Sequence, residues 1–270
     1  GGGQEINTGE AGVSEWLTAL KNLYPHWDIH YSNLISTDNN YLSDTELRDW
    51  LQANATEEHE LHLSVSVRSF RSEKISELMH EILEGSHSTA AKLFSEIKSD
   101  FPIYLTRNLA TAKNWLRGKA KGSERIGIVA SSGGRRLRPI GIDVKNEISA
   151  PDWFLNPSDD VRSSNYLEDV ATEFDIQGLE IDYVCLAWDI NFHFSKGKWH
   201  YQRFEGTTWR QIHQATERGY MINTYRVLLT RARQGLIILV PHGDDLDATR
   251  PKSFYHQTFQ YLQSCGITEI

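Results

Sequence analysis

Apolar positions recur at two different periods along the chain. VSEWLTALKNLY (13–24) puts Trp16, Leu17, Leu20 and Leu23 on one side of a helix. WDIHYS (27–32) has the make-up of a short strand, and residues 36–60 are polar and irregular. LHLSVSVRSF (61–70) alternates, with Leu61, Leu63, Val65 and Val67 on one face, and predicts a strand. SEKISELMHEILEG (72–85) returns to helical spacing, with Ser72 as its N-cap and Gly85 as its stop. A helix near 89–98, a strand PIYLT (102–106), a helix over 108–120 and a buried strand RIGIVASS (125–132) follow. Residues 141–170 are less regular; IDYVCLAWD (181–189) is a strong strand and KWHYQRF (198–204) fits an edge hairpin. LIILVP (236–241) reads as another buried strand, and a last helix falls near 252–264. Strands thus alternate with helices from about residue 61. That order predicts an α/β fold, a largely parallel sheet with helices on both faces. Ligands in such sheets sit at the carboxyl ends of strands.

One predicted helix carries unusual chemistry. In NTYRVLLTRARQG (223–235), Tyr225, Leu228, Leu229 and Ala232 form an apolar stripe. Arg226, Thr230 and Arg233 line one flank, Arg231 projects from the other, and Gly235 stops the helix before LIILVP. Charge of a single sign beside a strand asks for an anion.

Bulk composition narrows the classes. With 270 residues and 39% hydrophobic content the chain can bury a real core. A net charge of −8 means that any nucleic-acid contact must come from a local basic patch. Two cysteines, Cys185 and Cys265, make no CxxC pair and no secreted disulfide scaffold. No apolar run approaches the ~18 residues of a membrane span. A cytoplasmic protein is expected. GGGQEINTGEAG begins without methionine, which reads as a cut within a longer chain.

GGGQ (1–4), SFRS (69–72), QGLEID (177–182) and LLTRAR (228–233) occur in an order that resembles the carboxyl-terminal half of superfamily 1 helicases. GGGQEINTGEAG, QGLEID and NTYRVLLTRARQG look closer still to a prokaryotic helicase-like family related to the Schlafen helicase domain. The resemblance implies a RecA-like P-loop NTPase fold. Residues 1–60 would be the motif III end of a first motor domain and a linker, and 61–270 the second RecA-like motor domain. It also implies roles. Gln4 matches the motif III glutamine, between the γ-phosphate and the nucleic-acid track. Arg71 matches the motif IV arginine that reaches the γ-phosphate. Gly178 and Glu180 match the GLE of motif V at the nucleotide edge, and Thr172 its threonine, which faces the nucleic-acid backbone. Arg231 matches the motif VI arginine finger. Phe174 stands where the pattern has histidine and Gln177 where it has lysine, which weakens the nucleic-acid side of motif V. The implied cofactor is ATP with Mg²⁺, held mainly by the first motor domain. The implied partners are single-stranded DNA or RNA and that upstream RecA-like domain of the same parent chain.

The chemistry fits. Phosphoryl transfer needs fixed positive charge against the transferred group, and guanidinium supplies it. The chain has no GxxxxGK[ST] loop, so the fragment alone is expected to hydrolyse no ATP at a useful rate. Arg231→Ala is expected to abolish turnover in the intact protein with little loss of folding. SSGGRRLRP (131–139), with Arg135 and Arg136, could grip nucleic-acid phosphates or be a solvated loop. HELH (59–62) lacks HExxH spacing, and HGDDLD (242–247), which looks like a cation site, fits better as a cap of the following turn. The rival to a motor domain is a non-catalytic RecA-like interaction module. A nuclease-associated domain of a defence protein would need clustered carboxylates with lysine, and none is found.

Overall fold

The computed structural model describes residues 12–37, 42, 44–61 and 70–270, leaving aside the side chains of residues 34 and 70–72. The chain divides into two compact units, Gly1–Phe70 and Arg71–Ile270.

The first unit holds α1 (Val13–Leu23), β1 (His30–Tyr31), α2 (Asn33–Thr37), α3 (Thr45–Asn54) and β2 (Thr56–Glu57), with β1 and β2 paired in parallel. Leu17, Tyr31, Leu42, Leu47 and Leu51 form its core. The expected irregular stretch over 36–60 therefore contains a helix. Asp44 caps α3 by accepting from the Leu47 amide (3.1 Å), and Leu47 and Leu51 turn inward at an i, i+4 spacing. Of the expected strand at 61–70, residues 62–69 lie outside the described ones, Leu61 ends a 3₁₀ turn and Phe70 opens a helix.

The second unit runs α4 (Phe70–Glu84), α5 (His87–Ile97), β3 (Ile103–Thr106), α6 (Leu109–Lys119), β4 (Ile126–Ala130), α7 (Ala150–Leu155), β5 (Val170–Ala171), α8 (Glu173–Ile176), β6 (Ile181–Ala187), β7 (Phe192–Ser195), β8 (Lys198–Glu205), β9 (Thr208–Gln211), α9 (Ala215–Leu229), β10 (Ala232–Leu239), α10 (Lys252–Ser264) and β11 (Thr268–Glu269). Ser72 falls inside α4 and is not its cap. Six strands form one sheet in the order β11-β3-β10-β6-β4-β5, every pair parallel. This is the predicted α/β class, consistent with a RecA-like domain. β7, β8 and β9 form a separate antiparallel meander between β6 and α9.

Alternation along the central strands feeds two cores. In β10, Leu236 and Ile238 enter one core, which also takes residues of α4, α5, α9 and α10. Ile237 and Leu239 enter the other, with Ala112 and Leu116 of α6. In β6, Val184 and Leu186 face the first and Cys185 and Ala187 the second. Such unbroken apolar runs are what a strand buried on both faces requires. The irregular stretch 141–170 is ordered around Trp153 of α7, which is fully buried. A Cβ at Gly127 in β4 would lie 2.6 Å from its ring, so only glycine fits there.

Candidate functional site

The largest correction concerns NTYRVLLTRARQG. The helix starts earlier, at Ala215, and ends at Leu229; Ala232 and Arg233 belong to β10. Thr230 is the C-cap, and its Oγ1 donates back to the Arg226 carbonyl (2.8 Å). The sheet ladder wins over helical periodicity here. Ala232 registers with Ile181, and the Ile181 amide donates to the Arg231 carbonyl (3.0 Å). Gly235 stops no helix. It sits in β10, where a Cβ would press on Pro102 and Tyr183 at 3.1 Å. Tyr225, Leu228 and Leu229 are buried on α9 as their spacing predicts.

Arg231 accordingly does not project from a helix flank. It is 3% exposed and lies at the amino end of β10. Its Nε donates to the Val227 carbonyl (3.1 Å), tying it to the last turn of α9. Its Nη1 donates to the Leu179 carbonyl (3.2 Å), in the middle of the GLE turn. Gly178 and Glu180 flank that carbonyl at the amino end of β6. Gly178 has φ +82°, a left-handed conformation that L side chains strain to adopt, and open space around its Cα. Glu180 is exposed, and Arg233 approaches it at 3.9 Å. The residues assigned to the nucleotide, Gly178, Glu180 and Arg231, thus come together on one edge. Gln4 lies outside the described residues. The Arg71 backbone is in the first turn of α4, and its side chain lies outside the described ones.

The residues assigned to nucleic acid gather at the opposite end of the strands. Thr172 follows β5, is 9% exposed, and donates its hydroxyl to the Asp175 carboxylate (2.7 Å). SSGGRRLRP follows β4 and folds into a 3₁₀ helix, Arg135–Ile140. Glu173 connects the two, accepting from the Ser132 amide (2.8 Å) and hydroxyl (2.7 Å). After β6, Asp189 accepts from the Arg136 amide (2.8 Å), the Ile190 amide (2.8 Å) and the Tyr255 hydroxyl (2.5 Å). Asn191 donates to Ser131 Oγ (3.1 Å) and accepts from Tyr225 (2.8 Å). Burial raises the Asp189 and Glu173 carboxyls above their ordinary values, against the hydrogen bonds that pull them down.

This network decides what the glycine-rich loop can do. The amides of Gly133, Gly134 and Arg135 bond to Ser131 Oγ, the Ser131 carbonyl and the Gly133 carbonyl. With Ser132 and Arg136, all five successive amides are taken internally. The loop is no backbone cradle for phosphate; it presents side chains. Arg136 pairs with Asp247 (2.5 Å) and lies over the Phe204 ring (5.5 Å). Arg138 pairs with Asp143 (3.2 Å). Arg135 is exposed, with no side-chain partner among the described residues.

Glu173, Asp189 and Asn191 were not singled out from the sequence. The signal available was a polar residue placed just past each apolar strand, as in CLAWDIN (185–191). A recess lies elsewhere, among Phe194, Lys196, Gln257 and Tyr261. No helix among the described residues is long and apolar enough to cross a membrane. The GLE turn and the TRA segment, the stretches that resemble a helicase domain, thus lie together at the amino ends of β6 and β10. Over residues 1–242 the chain matches the family described as Schlafen group 3, DNA/RNA helicase domain. No curated protein and no solved structure matches it. The match covers most of the chain, which therefore belongs to the Schlafen group 3 DNA/RNA helicase domain family.

Proposed function

We propose that the chain is the second motor half of a superfamily 1 nucleic-acid-dependent ATPase or helicase. On this reading Gly178, Glu180 and Arg231 form one wall of an ATP–Mg²⁺ site whose phosphate loop is on an upstream RecA-like domain. The resemblance assigns Arg71 and Gln4 to the γ-phosphate as well, and Thr172, Arg135 and Arg136 to single-stranded DNA or RNA. The observation that carries the reading is the sorting of candidates to opposite ends of the strands, with Arg231 bonded to Leu179 between Gly178 and Glu180. A motor needs nucleotide and track at separate places on one rigid body. The sheet supplies that body.

Arg231 acts here as an arginine finger or as the brace of the GLE turn. Both roles use its fixed fork, which lysine lacks. One observation favours the second reading, a non-catalytic interaction module: Arg231 is 3% exposed. ATP hydrolysis by the intact parent polypeptide, with and without single-stranded DNA and RNA, separates the two. Stimulation by either polymer is expected. No hydrolysis by a folded protein that has its phosphate loop would leave the interaction module.

A further inference from the structure

Phe174 stands apart from its neighbours in α8. Glu173 is buried on Ser132, Asp175 holds Thr172, and Ile176 is in the core. Phe174 turns outward and is 53% exposed. Water gains nothing from an exposed ring, and about half of this one is left in solvent. The Glu173–Ser132 bonds tie the helix that carries Phe174 to the 132–136 loop. In that loop Arg135 is exposed without a side-chain partner among the described residues. The loop amides are consumed internally, so a ligand there meets a ring face and a guanidinium.

Those are the two groups a single strand of nucleic acid takes: an aromatic face for a base and a cation for its phosphate. Serine, glycine and arginine beside the ring favour an anionic partner over an apolar protein face. The carboxyl end of a parallel sheet is also where such folds receive ligands. We infer that Phe174 stacks on a base of single-stranded nucleic acid whose neighbouring phosphate is held by Arg135. The inference rests on the motor reading above and adds to it a base contact, made by the residue that departs from the motif V pattern.

The test is binding of the intact protein to labelled oligothymidylate, to oligouridylate and to an abasic strand of equal length, over a range of salt. Phe174→Ala is expected to weaken binding about 5- to 100-fold while leaving the salt slope unchanged. Phe174→Trp should restore it. Loss of the bases should cost the wild type a similar factor and cost Phe174→Ala nothing further. Arg135→Ala should reduce the salt slope by about 1. Equal losses for Phe174→Ala on the normal and abasic strands would make the effect structural and overturn stacking. If Arg135→Ala weakens binding and Phe174→Ala does not, the track reading stands and stacking falls. If the wild type binds none of the strands, both fall.

Discussion

The two ends of the parallel sheet bury charge of opposite sign. At the amino end Arg231 is drawn inside and held by two backbone carbonyls, while the Gly178 turn, Glu180 and Arg233 are exposed. At the carboxyl end the carboxylates are inside: Glu173 and Asp189 are buried and spend their oxygens on loop amides and hydroxyls. The guanidinium of Arg135 is left outside. A buried cation on carbonyls makes a fixed turn. A buried anion on amides makes a fixed loop with its cations displayed. On the function proposed above, the difference suits one edge that would hold a small ligand in register and one that would meet a long polyanion.

Arg231→Ala should break the contrast most severely. Turnover of the intact protein is expected to fall by about 10³ or more, judged by steady-state ATPase assay. Burial revises the expectation that folding would be spared. Two carbonyls lose their donor, so stability should drop by about 1–3 kcal/mol in chemical denaturation. Arg231→Lys keeps the charge and loses the fork; full turnover in it would exclude a bidentate role. Asp189→Asn comes next. It replaces an acceptor of three bonds by a group that must donate, and about 2–4 kcal/mol of stability should go with it. The same variant should open the 131–136 loop to hydrogen exchange and leave the 178–180 turn protected. Equal loss of protection at both ends would collapse the contrast.

Acid should act on the carboxyl end first. His193 in β7 is 1% exposed, stacked between His200 and Phe254, with Nδ1 on the Ile190 carbonyl (2.8 Å). Burial lowers its pKa from 6.5 to about 4. Between those values the unfolded chain binds the proton and the folded one does not, so this group makes stability rise with pH across that window. The span is worth at most about 3 kcal/mol. Raised carboxyls at Asp189 and Glu173 work in the opposite sense. Denaturation of wild type against His193→Phe at several pH values isolates the histidine; parallel curves would remove it from the account. The smallest effect is expected for Gly178→Ala. Nothing lies within 4 Å of the added Cβ, so the cost is backbone strain alone, about 1–2 kcal/mol at φ +82°. A much larger loss in Tm would show that the turn is packed and not open.

The periodicity of the chain determined the α/β class, the central strands and most helices of the second unit. Those calls rest on apolar runs such as IDYVCLA and LIIL, where burial on both faces dictates the residue type at every position. The helicase-like family was legible too, through resemblance, because a GLE turn and a TRA segment are short and local. What the sequence could not reveal depended on a partner far along the chain. TRAR looks helical until Ala232 finds Ile181, and the ladder then outweighs the stripe. SSGGRRLRP reads as a loop that grips nucleic-acid phosphates or as a solvated one until Glu173 and Asp189 claim its amides and leave only side chains to offer. Arg231 looks like a surface cation until the Leu179 carbonyl takes it. In each case the side chain's own type set what it could bond. Only the tertiary structure decided which buried donor or acceptor would reach it first, because an unpaired polar group inside costs more than local propensity can offer.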